Sequence, residues 1–347
     1  TSAADSQWVE DEFYAIDTLF KARQHSDFPF YRMIATLDGR ELPVFARDSL
    51  RTDFRAYPHG PTGGELLRLM VGLVGESLGA KRAQLIDSID EQSEQMTHAV
   101  QSARQNGDAA HLLELAASDS VAVTTTPGIL CEIADSLIAL DKLDESLEVI
   151  ARAKVRFAKS VRLMQLEGLA LRRQGEFVAA QRALGVLYAA GHRDPETLGI
   201  YAATWAKRYD KEGDENFLSK SQALYAEAFR LNPSDSYCGV NAASKAALLG
   251  QANVAAALAE QVLELEDVTR ATQGGKYWEI ATHAEVRVLR GEYARASELY
   301  QAAVAGSPAE HGSHSTTRDQ LEKLIDKLEV PGDFATALRS PFSHLNQ

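Results

Sequence analysis

The sequence predicts a mainly α protein: an α-solenoid of stacked helix pairs, with a small α/β portion at its N-terminal end. Three observations predict it. From Lys81 onward Ala, Leu, Glu, Gln and Arg dominate and no strand pattern appears; these residues lose little on entering a helix. Apolar residues recur at helical spacing, as in Leu130, Ile133, Ala134 and Leu137, which marks one buried face. The turn-forming residues Asp141, Gly175, Gly213, Gly250 and Gly291 recur at spacings of 34, 38, 37 and 41, the mark of a unit repeated along the chain.

Residues 1–80 have a mixed texture. A helix-like stretch covers Trp8 to Ala22. Two strand-like pieces follow, Tyr31–Ala35 and Leu50–Phe54, with Asp38-Gly39 as a turn signal between them. Tyr57-Pro58-His59-Gly60-Pro61 breaks the pattern, and Gly64 to Leu78 reads helical again. The order α-β-β-α suits the edge of a flavodoxin-like α/β sheet and is short for a whole α/β domain. Residues 81–109 read as a linking helix, 110–330 as the helical repeats and 331–347 as a C-terminal tail.

Within the repeats, Ala134-Asp-Ser-Leu-Ile-Ala-Leu-Asp141, Gly168-Leu-Ala-Leu-Arg-Arg-Gln-Gly175, Ala243-Ser-Lys-Ala-Ala-Leu-Leu-Gly250 and Ala284-Glu-Val-Arg-Val-Leu-Arg-Gly291 each end a helix at a turn former. A second helix follows, and its interior alanines, Ala180, Ala226, Ala257 and Ala296, are expected to let paired helices approach closely. Asp194-Pro195-Glu196 supplies a cap, a proline at the first helical position and an acid in the first turn. The period resembles that of tetratricopeptide repeats, about 34 residues. One pair cannot bury its own apolar face, so such units stack.

Composition excludes several classes. Lys plus Arg is 36 and Asp plus Glu is 49, a net charge of −13; a duplex-binding groove needs clustered cations, so nucleic acid is not an expected partner. The two cysteines, Cys131 and Cys238, are too few for a disulfide scaffold or a four-cysteine zinc site. No apolar run reaches the ~20 residues of a membrane span and no signal peptide opens the chain. A cytoplasmic location and no membrane partner are expected. The first residue, Thr1, reads as the start of a processed or trimmed chain.

Further motifs carry weaker signals. Gly60-Pro-Thr-Gly-Gly64 lacks the Lys-Ser/Thr pair of a phosphate loop and is followed by Glu65, so it reads as a plain loop. Among nine histidines only His311-Gly-Ser-His314 has metal-like spacing; it has no third ligand nearby and reads as a loop after Pro308. No metal or cofactor is expected. Cys131 and Cys238 lie in helical patterns as small core residues. Tyr277-Trp278 and the row Tyr201, Trp205, Tyr209 are expected in the core between repeats, the alternative being a ligand platform. Lys207 and Arg208 are expected to pair with nearby acids or to line a groove.

Two resemblances go further. Asp194-Pro-Glu-Thr-Leu-Gly199 with Lys207-Arg208-Tyr209, Gly239-Val-Asn-Ala-Ala243 and Tyr277-Trp-Glu-Ile-Ala-Thr282 are ordered as in the TRAFs-binding domain of stress-sensing mitogen-activated protein kinase kinase kinases. Over about 110–330 this resemblance implies a tetratricopeptide-like regulatory or scaffold domain that engages a protein partner or assembles with itself. Ser6-Gln-Trp8-Val-Glu-Asp-Glu12, Phe28-Pro-Phe30, Tyr31-Arg-Met-Ile-Ala35, Leu42-Pro43 and Thr52-Asp53-Phe54-Arg55, with Leu66, Leu69 and Leu73, resemble the second half of a bacterial Toll/interleukin-1 receptor (TIR) domain. That resemblance implies an NAD-cleaving effector of bacterial immunity against phage, active when oligomerised. NAD would be its substrate, Glu12 its catalytic acid and Trp8 the packing support; the family's first strand and loop would precede Thr1. The alternative is a non-catalytic interaction scaffold built on the repeats.

Overall fold

The computed structural model describes residues 33–36, 50–53, 62–73, 79–265 and 276–346. The chain divides into two compact units, Thr1–Ala170 and Leu171–Gln347.

In the first unit, β1 (Met33–Thr36) pairs with β2 (Leu50–Asp53) in parallel, Met33 opposite Leu50 and Thr36 opposite Asp53. A parallel pair cannot be closed by a tight turn and needs a crossover of about a dozen residues. Asp38-Gly39, the expected turn, lies outside the described residues. The helices are α1 (Gly63–Leu73), α2 (Gly79–Gln105), α3 (Ala109–Ala116), α4 (Val121–Thr125), α5 (Gly128–Ala139) and α6 (Leu143–Arg156); α7 (Val161–Arg173) begins in this unit. Val100, Leu112, Ile133, Leu137, Leu163 and Leu166 are fully buried in one aliphatic core. Thr62 caps α1 by accepting from Glu65 N–H at 3.1 Å, and its hydroxyl donates to Asp90 at 2.8 Å. A Cβ on Gly64 would stand 2.1 Å from Asp90 Oδ1. This glycine therefore serves close packing of α1 on α2.

The second unit continues with α8 (Phe177–Ala189), α9 (Pro195–Glu212), α10 (Glu215–Leu231), α11 (Ser236–Leu248), α12 (Ala252–Leu263), α13 (Tyr277–Leu289), α14 (Tyr293–Gly306), α15 (His311–Lys327) and α16 (Gly332–Arg339), and ends in a 3-10 turn, Ser340–Asn346. Among the described residues of 110–330 there is no strand. Asp194 caps α9 by accepting from Thr197 N–H at 3.0 Å, as its Asp-Pro-Glu start predicts.

All five predicted turn residues have positive φ, from 58° at Asp141 to 82° at Gly175. At Asp141, Gly175, Gly250 and Gly291 the following N–H donates back to the carbonyl five residues before it: Lys142 to Leu137, Glu176 to Leu171, Gln251 to Ala246 and Glu292 to Arg287, at 2.8–2.9 Å. The left-handed residue makes this bond possible and satisfies a carbonyl the helix end would leave bare. Glu329, φ 50°, forms a further turn of the same kind, with Val330 donating to Ile325 at 3.1 Å.

Two expectations are corrected. Ala180 and Ala296 are buried as predicted, but Ala257 is exposed; Ala255 and Ala259 carry the α12 contact. In Ala-Asn-Val-Ala-Ala-Ala-Leu-Ala the alanines fall on every face, so composition does not give the phase. Residues 331–347, expected as a tail, bring α16 and the 3-10 turn into the core, where Leu338 and Phe342 are buried. They cover the apolar face that the last pair would otherwise expose.

Candidate functional site

The first helices of successive pairs in the second unit are α9, α11, α13 and α15. Counting back six residues from their turns at 213, 250, 291 and 329 gives one register row: Lys207, Ser244, Glu285 and Lys323. The row is knitted by polar contacts. Ser244 Oγ donates to Glu285 Oε1. Gln320 Nε2 donates to the same oxygen at 3.1 Å, and Lys245 Nζ donates to Gln320 Oε1 at 3.2 Å. Lys323 pairs with Asp210 at 2.6 Å, and Lys207 approaches the same carboxylate at 3.7 Å. Lys245 is buried, and burial pushes its ammonium down to about 8; Glu285 and Asp210 oppose that shift, while Lys323 and Lys207 add to it.

Thirteen residues before the turns at Gly250 and Gly291 stand Tyr237 and Trp278, 53% and 51% exposed. Each lies seven residues before its row member, Ser244 or Glu285, so aromatic and polar group share one helix face about 10 Å apart. Tyr237 is anchored by an edge contact and a 3.2 Å hydroxyl contact with buried Tyr225. Tyr277, by contrast, is a core residue whose hydroxyl donates to Thr317 at 2.8 Å. The Tyr277-Trp278 pair thus divides: one ring in the core, one in solvent.

The other predicted residues fall as follows. Glu12 and Trp8 lie outside the described residues, as do Gly60 and Pro61. Tyr201 is buried and Trp205 and Tyr209 are partly buried, with Tyr201, Trp205 and Phe217 rings in sequence at 6.0 and 5.5 Å. Arg208 pairs with Glu212 at 2.7 Å. Both cysteines are buried, and burial pushes the Cys131 thiol up to about 12 and that of Cys238 higher still. Neither is poised as a thiolate nucleophile. Gly239 packs so closely that a Cβ would meet Val262 at 2.5 Å.

His311 and His314 begin α15, a helix where a loop was expected, and the structure adds His344 from the terminal 3-10 turn. Burial, then His344 and His311, lowers the pKa of His314, with Glu310 and the Ser307 backbone acting in the opposite sense. His344 stands 30 residues beyond His314, and no local spacing signals the meeting.

Helix pairs stacked through left-handed turns, with aligned positions on each first helix, define a tetratricopeptide-like repeat domain. A family model described as "Tetratricopeptide Repeats-Sensor" matches residues 138–249. No curated protein matches the chain. Among solved structures, a thermophilic tetratricopeptide repeat protein of Thermus thermophilus is 19% identical over 55% of this chain and 97% of its own, with a TM-score of 0.45. A tetratricopeptide repeat protein of Parabacteroides merdae is 15% identical over 62% and 85%, at 0.38. The TPR2AB domain of yeast Sti1 in complex with pHSP90 is 12% identical over 69% and 99%, at 0.26. None of these comparisons supports a TIR domain over residues 1–80. Among the described residues no helix is long and apolar enough to cross a membrane.

Proposed function

We propose that this chain is a protein-interaction scaffold whose repeats hold a protein segment against the first-helix face. The observation that carries this reading is the pair Tyr237 and Trp278, half-exposed at the same position of successive repeats. Large aromatics concentrate binding energy at interfaces because they bury much area at little entropic cost. Lys207 and Lys323 share the single carboxylate of Asp210 on the same face, which suits a segment with acidic groups beside its apolar ones. Affinity capture with the full chain from its own cells tests it. A partner retained by the wild type should be lost with Tyr237→Ala/Trp278→Ala, while the circular dichroism spectrum stays unchanged. Equal capture by both would sink the reading.

A second reading has the parallel pairing of Met33–Thr36 with Leu50–Asp53 in its favour, since α/β folds bind nucleotides at the carboxyl ends of parallel strands. In it the N-terminal part is a TIR-type NAD hydrolase that the repeats assemble. Glu12 stabilises the positive charge that develops as nicotinamide leaves, and Trp8 fixes its helix. Glu12→Gln in the full-length, assembled protein should then lower NAD turnover by at least ~100-fold. Wild-type-like turnover leaves Glu12 an ordinary acid.

A further inference from the structure

We propose that His311, His314 and His344 form a binding site for a divalent transition-metal ion of the zinc class, which fastens the C-terminal turn to the last repeat. His311 and His314 stand three residues apart in the first turn of α15, on one side of the helix. His344 reaches them from the 3-10 turn. One nitrogen of each ring lies within 4.8 Å of the other two. The ring centroids are 5.0 Å apart for His314–His344, 5.7 Å for His311–His344 and 6.1 Å for His311–His314.

The hydrogen bonds argue for a cation between the rings. His344 Nδ1 meets the Pro341 carbonyl at 3.2 Å. A carbonyl only accepts, so Nδ1 carries the proton and Nε2 presents a lone pair. That lone pair stands 3.0 Å from His314 Nδ1. With no ion and both rings neutral, His314 Nδ1 carries the bridging proton. This tautomer leaves His314 Nε2, a buried atom that makes no well-formed hydrogen bond, without a proton, although the Ser307 backbone favours a protonated ring. An ion reverses the assignment: both facing lone pairs point to it, and the proton moves to His314 Nε2. A metal-ligating histidine whose other nitrogen donates to a backbone carbonyl, as His344 does, has the usual orienting partner.

The distances and donor set select the ion. Two nitrogens on one tetrahedral zinc, each at about 2.0–2.1 Å, stand roughly 3.3 Å apart; the His314–His344 contact is close to that. His311 is exposed, so rotation of its side chain closes the third distance and leaves an entry path for the ion. Three imidazole nitrogens suit zinc-like ions rather than calcium or magnesium, which take oxygen ligands. The fourth position is left for water or the adjacent Glu310, whose carboxylate now accepts from Ser313 Oγ at 2.9 Å. The site joins segments that share core contacts: the His314 ring lies 5.0 Å from that of Tyr277, and Phe342 lies 5.5 Å from Tyr300.

The test uses the untagged full chain, stripped with a chelator and titrated with zinc alone at neutral pH. One ion per chain and a raised melting temperature are expected, because a ligand bound only by the folded state stabilises it. His344→Ala and His311→Ala should each weaken zinc binding by at least ~10-fold, the least that loss of even an orienting partner costs. His311 is exposed, so its variant stays folded and decides the matter if His344→Ala loosens the terminal turn. No stoichiometric zinc binding, or unchanged affinity in His311→Ala, would overturn the proposal.

Discussion

The core around α5 and α6 and the core around α13 to α16 are built on opposite plans. The first is filled by branched aliphatic side chains: Ile129, Leu130, Ile133, Leu137, Val149 and Ile150. The second sets alanines at Ala246, Ala281, Ala284, Ala296 and Ala303 against Tyr277, Tyr300 and Phe342. Small residues bring backbones together and large rings fill what remains. The tyrosines also bring hydroxyls inside, and that of Tyr277 donates to buried Thr317; Ser244, Lys245, His283 and His314 are buried in the same unit. Polar groups held in fixed positions are where a repeat protein acquires chemistry beyond stacking, and both candidate sites lie in that unit.

The largest expected effect comes from removing volume in the aliphatic core. Leu137 is fully buried among Ile and Leu, and Leu137→Ala should cost about 2–5 kcal/mol in denaturant unfolding of the full chain. A cost under ~1 kcal/mol would mean that this core collapses around the void and is not filled as described.

Each unit also buries an ionisable group, with opposite signs. Lys245, pushed down to about 8, lies below its ordinary 10.5. The unfolded chain holds more proton between those values, so the lysine's cost is full below pH 8 and is relieved as pH rises to 10.5. Lys245→Met should therefore stabilise the neutral-pH protein by up to about 3 kcal/mol, and the gain should vanish by pH 10.5. Glu132 in the first unit is raised above its ordinary 4.5, by burial first, with Gln101 and Arg104 partly offsetting it. Here the folded chain holds the extra proton just above pH 4.5, so Glu132→Gln should gain at neutral pH and lose that gain on acidification. Urea melts across the pH range check both slopes. A gap that is flat with pH in either variant would show that the group is hydrated, and would remove it from the comparison.

Adding volume should reverse the sensitivity. Ala296 is fully buried, and Ala296→Trp should cost about 1–3 kcal/mol or more through overpacking. Ala257 is exposed, and Ala257→Trp should stay within about 0.5 kcal/mol. Equal melting temperatures would place both alanines on the surface.

These two alanines show what the sequence tells and what it withholds. Glycine declares a left-handed turn through its own chemistry, so four of the repeat turns are legible residue by residue. An alanine run declares helix but not which face is buried, so Ala257 and Ala259 look alike. Trp278 and Tyr277 are adjacent and equally aromatic, yet only the tertiary neighbour Thr317 decides which one turns inward. The histidine cluster is half visible in the sequence, as His311 and His314, because the third nitrogen arrives through a chain reversal that no local pattern encodes. The parallel pairing of β1 and β2 is hidden for the same reason: pairing direction depends on the path between strands.

A further small effect concerns the two left-handed turns without glycine among the described residues, one in each unit. Asp141 has φ 58° and Glu329 has φ 50°, in the left-handed region that costs an ordinary residue about 1–2 kcal/mol. Glycine removes that cost but loses roughly 0.5–1 kcal/mol of stability through its freer unfolded chain. Glu329→Gly should thus gain about 0.5–1 kcal/mol. Asp141→Gly should gain less, because a short Asp side chain tolerates this conformation by bonding locally. The two variants share the same turn geometry, so their difference isolates the side chain. If Asp141→Gly gains as much as Glu329→Gly, the aspartate contributes nothing to its turn, and its place in the repeat pattern reflects helix ending alone.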